Sequence, residues 1–215
     1  MQYCYPEEIY DELIQTMKEE PKVCNYLDLP IQHASDRILK RMGRRTSQAD
    51  LRAIIGKLRQ EIPDICLRTT LIRGFPGETE EDHEELMNFV DEMEFDRLGV
   101  FTYSAEEDTP AASMPEQVDE EVKKDRQAEL MELQQDISLD KGNEKIGRDM
   151  LVMIEGKVAD ENAYVGRTYG DAPNVDGYIF VNTDMELMSG DLCQVHVTGA
   201  LEYDLIGELK DEYTE

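Results

Sequence analysis

The chain has 215 residues, 40% of them hydrophobic, which suffices for one medium domain or a medium domain with a small companion. It carries 22 Lys and Arg against 49 Asp and Glu, a formal charge of −27. So acidic a surface repels phosphate and disfavours direct nucleic-acid binding, and it serves either solubility alone or encounter with a strongly basic partner. No apolar run approaches the ~20 residues that cross a bilayer, and MQYCYPEEIYDE lacks the basic-then-apolar order of a secretory signal. A cytoplasmic protein without a membrane partner is expected.

Met1 to Tyr5 is strand-like, and a helix is expected from Glu7 to Met17. A strand from Tyr26 to Ile31 and a short helix from Asp36 to Met42 follow. Ser47 with Asp50, and Thr79 with Asp82, have the spacing of capping boxes. Each precedes apolar residues at helical intervals: Leu51, Ile54, Ile55, Leu58 and Ile62 in one, Leu86, Phe89, Val90 and Met93 in the other. Strands are expected at Ile65 to Arg73 and Arg97 to Tyr103. This alternation predicts βα units around a parallel sheet over residues 1–115. A free-standing barrel needs roughly six to eight such units. The region is therefore either an unusual small sheet or part of a larger one, and the abrupt start favours the second.

From Glu116 to about Asn143, Val118, Val122, Leu130, Leu133 and Ile137 predict one long amphipathic helix, a connector over 116–144. Beyond it LVMIEGKV, AYVGRT, GYIFVN, LCQVHVTGA and EYDLIGEL alternate as five short strands. They predict a small antiparallel β-barrel over 145–215. Cys4, Cys24, Cys66 and Cys193 are scattered, as reduced thiols without metal-ligand spacing; Cys66 and Cys193 lie in apolar runs that suggest burial. No metal ligands and no catalytic residue are identifiable.

Candidate site residues cluster at the expected strand ends, where parallel α/β folds gather ligand groups. Gln32, His33 and Ser35 follow the first strand, with Ser35 serving either a ligand or the N-cap of the next helix. Arg68, Thr70 and Ile72 share one face of the second strand by period-two alternation. A guanidinium among Leu67, Leu71 and Ile72 needs a carboxylate partner, from a ligand or from the protein. Gly74, Pro76 and Gly77 let backbone approach a ligand at a helix start, where Glu78, Glu80, Glu81 and Asp82 complement the dipole and exclude phosphate. Phe101, Tyr103 and Ser104 end the third strand, and Tyr103 either flanks a base or packs as core. His83 and His196 read as structural.

Four stretches, YLDLPIQHASDRILKRMGRRTS, LRTTLIRGFPGETEED, FDRLGVFTYSAEEDTPAA and GRTYGDAPNVDGYIFV, resemble in order and spacing the radical-SAM methylthiotransferases with their terminal TRAM domain. The likeness covers essentially the whole chain and is closest to the RimO type. It implies the C-terminal half of a partial (β/α) radical-SAM barrel, then a TRAM barrel of OB-like form. It also implies S-adenosylmethionine on the strand ends, at Gln32, His33, Ser35, Arg68, Thr70, Ile72, Gly74, Phe101 and Tyr103. In the family two 4Fe-4S clusters are held by cysteine sets absent from this chain, which implies that the chain alone is inactive.

RimO-type enzymes add a methylthio group to the β-carbon of an aspartate in ribosomal small-subunit protein twelve, whereas MiaB-type enzymes modify transfer RNA. From Lys145 onward there are 5 basic and 15 acidic residues, the wrong sign for RNA and suited to a basic ribosomal protein or the ribosome. Arg167, Tyr169, Asp171 and Asp176 are the expected partner contacts. A transfer-RNA enzyme and a non-catalytic ribosomal-protein-binding fragment remain as alternatives.

Overall fold

The computed structural model describes Met1 and residues 3–210, and the chain divides into two compact units at Ile137 and Ser138. In the first, strands β1 (Tyr26–Asp28), β2 (Cys66–Arg73) and β3 (Arg97–Thr102) form a parallel sheet in the order β1-β2-β3. Its helices are α1 (Asp11–Glu19), α2 (Asp36–Arg41), α3 (Gln48–Glu61), α4 (Glu80–Met93) and the first turns of α5 (Glu120–Asn143). Leu27, Leu67 and Leu71 share one core with Leu51, Ile55 and Leu58 of α3 and Leu86, Phe89 and Val90 of α4. Both capping boxes form: Ser47 accepts from the Asp50 amide and Thr79 from the Asp82 amide, with each acid returning the bond.

Three elements depart from the pattern of the sequence. β1 stops at Asp28, since Pro30 has no N–H for the ladder, and pairing resumes only as a bridge between Gln32 and Leu71. The expected first helix is split into a 3-10 turn at Pro6–Glu8 and α1, because Ile9 and Tyr10 are extended. In α5 the helix is present, but Lys123, Arg126 and Gln134 are buried beside Leu130 and Ile137 while Val122 is 38% exposed. Arg126 pairs with Glu78 and Glu80, and other polar side chains of α5 find carbonyls on β3, the last strand of the sheet, and on the residues that flank it. Lys123 Nζ donates to the Tyr103 carbonyl at 3.0 Å, Gln127 Nε2 to that of Val100 at 2.6 Å, and Gln134 Nε2 to that of Phe95 at 2.8 Å. These side chains occupy acceptors along an edge that has no further strand.

In the second unit β4 (Asp149–Lys157), β5 (Ala163–Arg167), β6 (Ile179–Asn182), β7 (Leu192–Ala200) and β8 (Leu205–Leu209) close into a barrel in the order β4-β5-β6-β8-β7. All pairs are antiparallel except β6 with β8. Val152, Ile154, Tyr164, Ile179, Val181, Val195, Val197 and Leu205 fill the interior, and bulges fall beside Gly156 and Gly199. At Gly166 a Cβ would stand 2.5 Å from Val152 Cγ1 and 2.9 Å from the Met153 carbonyl oxygen, so only glycine fits the close strand approach.

Two glycine-to-alanine changes therefore have opposite signs. Gly166→Ala overpacks the barrel and lowers stability by about 1–3 kcal/mol. Gly56→Ala, in α3 with open space around the new Cβ, raises it by about 0.5–1 kcal/mol through helix propensity. Urea unfolding of the two variants checks both signs.

Candidate functional site

The face of β2 turned away from the α3 and α4 core carries Arg68, Thr70 and Ile72, all half-buried. Register sets Arg68 beside Asp28 of β1 and Arg97 of β3, Thr70 beside Gly99, and Ile72 beside Phe101, a residue 57% exposed. Gln32 joins this group through backbone bonds from its amide to the Thr70 carbonyl and from the Ile72 amide to its own carbonyl, both 2.9 Å. Gln32, Thr70, Ile72 and Phe101 are thus brought to one strand-end face. Arg68 takes the protein-acid alternative: its Nη1 donates to Asp28 Oδ1 at 3.0 Å and Thr70 Oγ1 at 3.2 Å.

The other expected ligand residues are engaged within the protein. His33 and Ser35 are buried. Ser35 occupies the N-cap position of α2 but makes no cap bond, and its hydroxyl donates to Asp82 Oδ1 at 2.6 Å. Gly74 has φ +71°, and a side chain there would overlap the stem of Lys123; its bareness admits α5. At Gly77 a Cβ would lie 2.7 Å from the Arg41 guanidinium carbon, and Arg41 Nε donates to the Pro76 carbonyl at 2.9 Å. The close approaches that both glycines permit are therefore filled by cationic side chains of the chain itself. Tyr103 packs edge-on to Phe75 at 5.2 Å, with Lys123 Nζ 5.3 Å from its ring centre.

Behind this face lies a buried ionic cluster. Glu78 Oε2 accepts from the Gly74 amide at 2.9 Å and lies 3.3 Å from His33 Nε2; Oε1 lies 3.0 Å from both Arg73 Nη2 and Arg126 Nη1. The Ser35 amide donates to His33 Nδ1 at 2.9 Å, which leaves the proton of the neutral ring on Nε2, turned to Glu78 with Arg73 Nη1 also 3.2 Å away. Arg73 also meets His83 Nδ1, and His83 Nε2 lies 2.6 Å from Glu129 Oε2. Arg37 pairs with Asp82 and donates to the Gly77 carbonyl at 2.7 Å.

Burial works to raise the Glu78 pKa, yet the His33 bond and the Arg73 charge hold it below the ordinary carboxylate value. For His33 burial dominates and lowers the pKa, keeping the ring neutral. Burial also lowers Arg73, to about 10, which leaves it charged at neutral pH. Asp82 sits near 2 because hydrogen bonds from Ser35, Thr79 and Arg37 override its desolvation. Period-two alternation held the signal for this cluster, since it places Arg73 on the apolar side with Leu67 and Leu71. Glu78, expected to complement the helix dipole, has its side chain wholly buried and paired with Arg73.

In the barrel unit, Arg167 Nε donates to Glu155 Oε1 at 2.8 Å and Tyr169 is 38% exposed. Asp171 is buried, accepting from the Thr168 hydroxyl at 2.6 Å and the Thr168 amide at 3.1 Å. Asp176 accepts from the Ala172 amide at 2.9 Å. Both acids pin a turn, and Asp171 is buried there while Asp176 stays half-exposed. Among the described residues no group of His, Cys, Asp and Glu could hold a metal ion, and the free cysteines do not converge.

The Radical SAM superfamily model matches residues 3–90, and the TRAM domain model matches residues 146–209. Among solved structures, Escherichia coli coproporphyrinogen III oxidase (HemN), described as a radical SAM enzyme, aligns with a TM-score of 0.53 at 15% identity. That alignment covers 91% of this chain and 45% of the other and is a likeness of fold. The chain is thus built from a radical-SAM sheet and a TRAM barrel. Proteins named ribosomal protein uS12 methylthiotransferase RimO are 64% identical over 96% of the chain in Lachnoclostridium phytofermentans, and 51% over 97% in Desulfitobacterium hafniense. A third, from Clostridium botulinum, is 52% identical over 99%. Over nearly its whole length the chain is thus similar to radical-SAM methylthiotransferases of the RimO type. It spans about half the length of these curated relatives, 47% of each.

The cluster sets the response to acid. Glu78 and Asp82 have folded pKa values below their unfolded ones, so their stabilisation is complete above pH ~4 and is lost as pH falls toward 2. Glu78→Gln leaves Arg73 without its buried counter-ion and costs about 3–5 kcal/mol. Unfolding midpoints measured from pH 6 to pH 2 test both, and a flat wild-type profile would contradict the first.

Proposed function

We propose that this chain forms the C-terminal part of an enzyme that adds a methylthio group to the β-carbon of an aspartate in ribosomal protein uS12. The observation that carries the reading is 64% identity, over 96% of the chain, to a relative named ribosomal protein uS12 methylthiotransferase RimO; the aspartate β-carbon follows from the family resemblance. Residues 1–115 serve as the C-terminal part of a radical-SAM barrel, 116–144 as connector and 145–215 as the recognition barrel. The setting is the cytoplasm.

S-adenosylmethionine suits the strand-end face, where Gln32 offers a carboxamide and Ile72 and the exposed Phe101 ring offer apolar surface. Thr70 and Gly74 border that face, and Arg68, held by Asp28, lies behind Thr70. His33, Ser35 and Tyr103 act through packing and hydrogen bonds. When bound, the cofactor supplies a 5′-deoxyadenosyl radical, and this chain's residues position it and exclude water. Cys4, Cys24, Cys66 and Cys193 do not fit a 4Fe-4S site, so the ligands of both clusters are assigned to the portion of the family protein outside this alignment.

The barrel's exposed acids would meet a basic ribosomal protein, with Tyr169 and Arg167 beside them. Transfer RNA is the second reading, and 15 acids against 5 bases from Lys145 onward argue against it. A chimera joining this chain to the N-terminal half of the Lachnoclostridium phytofermentans relative, incubated with uS12 and S-adenosylmethionine, should increase the mass of uS12 by one methylthio group in place of hydrogen. Modification of a transfer-RNA base instead would overturn the assignment. In a separate titration, the 215-residue chain should bind uS12 with an affinity that falls as salt rises and should bind transfer RNA more weakly. Tighter binding to transfer RNA would favour the second reading.

A further inference from the structure

Gln32 has φ +69° and lies within the sheet, bonded on both sides of its backbone to β2. The other non-glycine residues of positive φ, Tyr3, Glu94, Asp108, Glu116, Asp160 and Asn174, are all solvent-exposed. The His33 amide donates to the Ile31 carbonyl at 2.9 Å, closing a γ-turn with Gln32 at its apex. With positive φ this is the rare, strained form of that turn. Such strain persists only where the surroundings over-determine it, and it concentrates at functional sites. Among the described residues the Gln32 carboxamide takes part in no hydrogen bond, so its own contacts do not hold the conformation.

What holds it is the next residue. His33 is fully buried, with Nδ1 fixed by the Ser35 amide and Nε2 by Glu78. Glu78 is fixed in turn by Gly74, Arg73 and Arg126. Relaxing Gln32 to negative φ would swing the His33 ring out of this cluster and break its bond to a buried carboxylate.

We propose that Arg73, Glu78 and Arg126 are positioning residues for Gln32: through His33 they hold the γ-turn that presents its carboxamide, a donor beside an acceptor, to the polar edge of a ligand on the sheet's open face. The identity of that ligand rests on the reading of the face as the S-adenosylmethionine site.

The test uses the full chain with S-adenosylhomocysteine as probe. Gln32→Gly removes the carboxamide and accepts positive φ without strain, so it should raise the thermal midpoint by about 3 °C while weakening binding roughly tenfold or more. Arg126→Gln should displace the Gln32 amide and His33 ring nitrogen signals in NMR spectra and weaken binding several-fold. In the Gln32→Gly background it should weaken binding no further, because the two act through one contact. Glu78→Gln is the stronger form of the same change, and Arg126→Gln stands in for it should that variant not fold. Additive losses in the double variant, a lower midpoint for Gln32→Gly, or unmoved signals in Arg126→Gln would each overturn the positioning. If the unaltered chain does not bind the probe, the cofactor reading fails, and the positioning is then decided by the NMR signals and the Gln32→Gly midpoint.

Discussion

A carboxylate taken out of water is stable only if each of its oxygens is met by donors, and Glu78 meets that demand from separate parts of the chain. The Gly74 amide comes from the turn after β2, the His33 ring from the segment between β1 and α2, Arg73 from β2 itself and Arg126 from α5. No two of these elements can shift independently without leaving a buried charge exposed to an apolar surround. Glu78 thereby ties these strand ends together beside the apolar core that holds Leu27, Leu67 and Leu71.

The same cluster explains how so acidic a chain distributes its few cations. Arg73, Lys123 and Arg126 are buried, and Arg37 and Arg41 close around Pro76 and Gly77. Five of the 22 Lys and Arg thus lie inside and around one turn, in a chain whose net charge is −27. Charge composition here reports on interior architecture as well as on the surface offered to partners.

Much of the fold was legible in the sequence because it depended on local chemistry. Ser47 with Asp50 and Thr79 with Asp82 announced α3 and α4, and alternation announced the barrel strands. What was not legible depended on distant partners. The burial of Lys123 and Gln134 follows from carbonyls on and around β3, which no helical periodicity of apolar residues can register. Asp171 read as an outward acid because its local bond to Thr168 leaves no mark on hydropathy. The candidate face was legible as a set of alternating β2 residues. Parity along β2 marked Arg73 rather than Arg68 for the buried side, but Glu78, His83 and Arg126, which complete the cluster, come from other parts of the chain and were not legible.

The donors that α5 places along β3 also impose an order on maturation. A ribosome releases β3 well before α5, and until that helix emerges the Val100 carbonyl and its neighbours remain open on a nascent sheet. An open strand edge is a template for whichever chain arrives first. Lys123, Gln127 and Gln134 thus close an adhesive margin only once α5 has been made, later than the strand it covers.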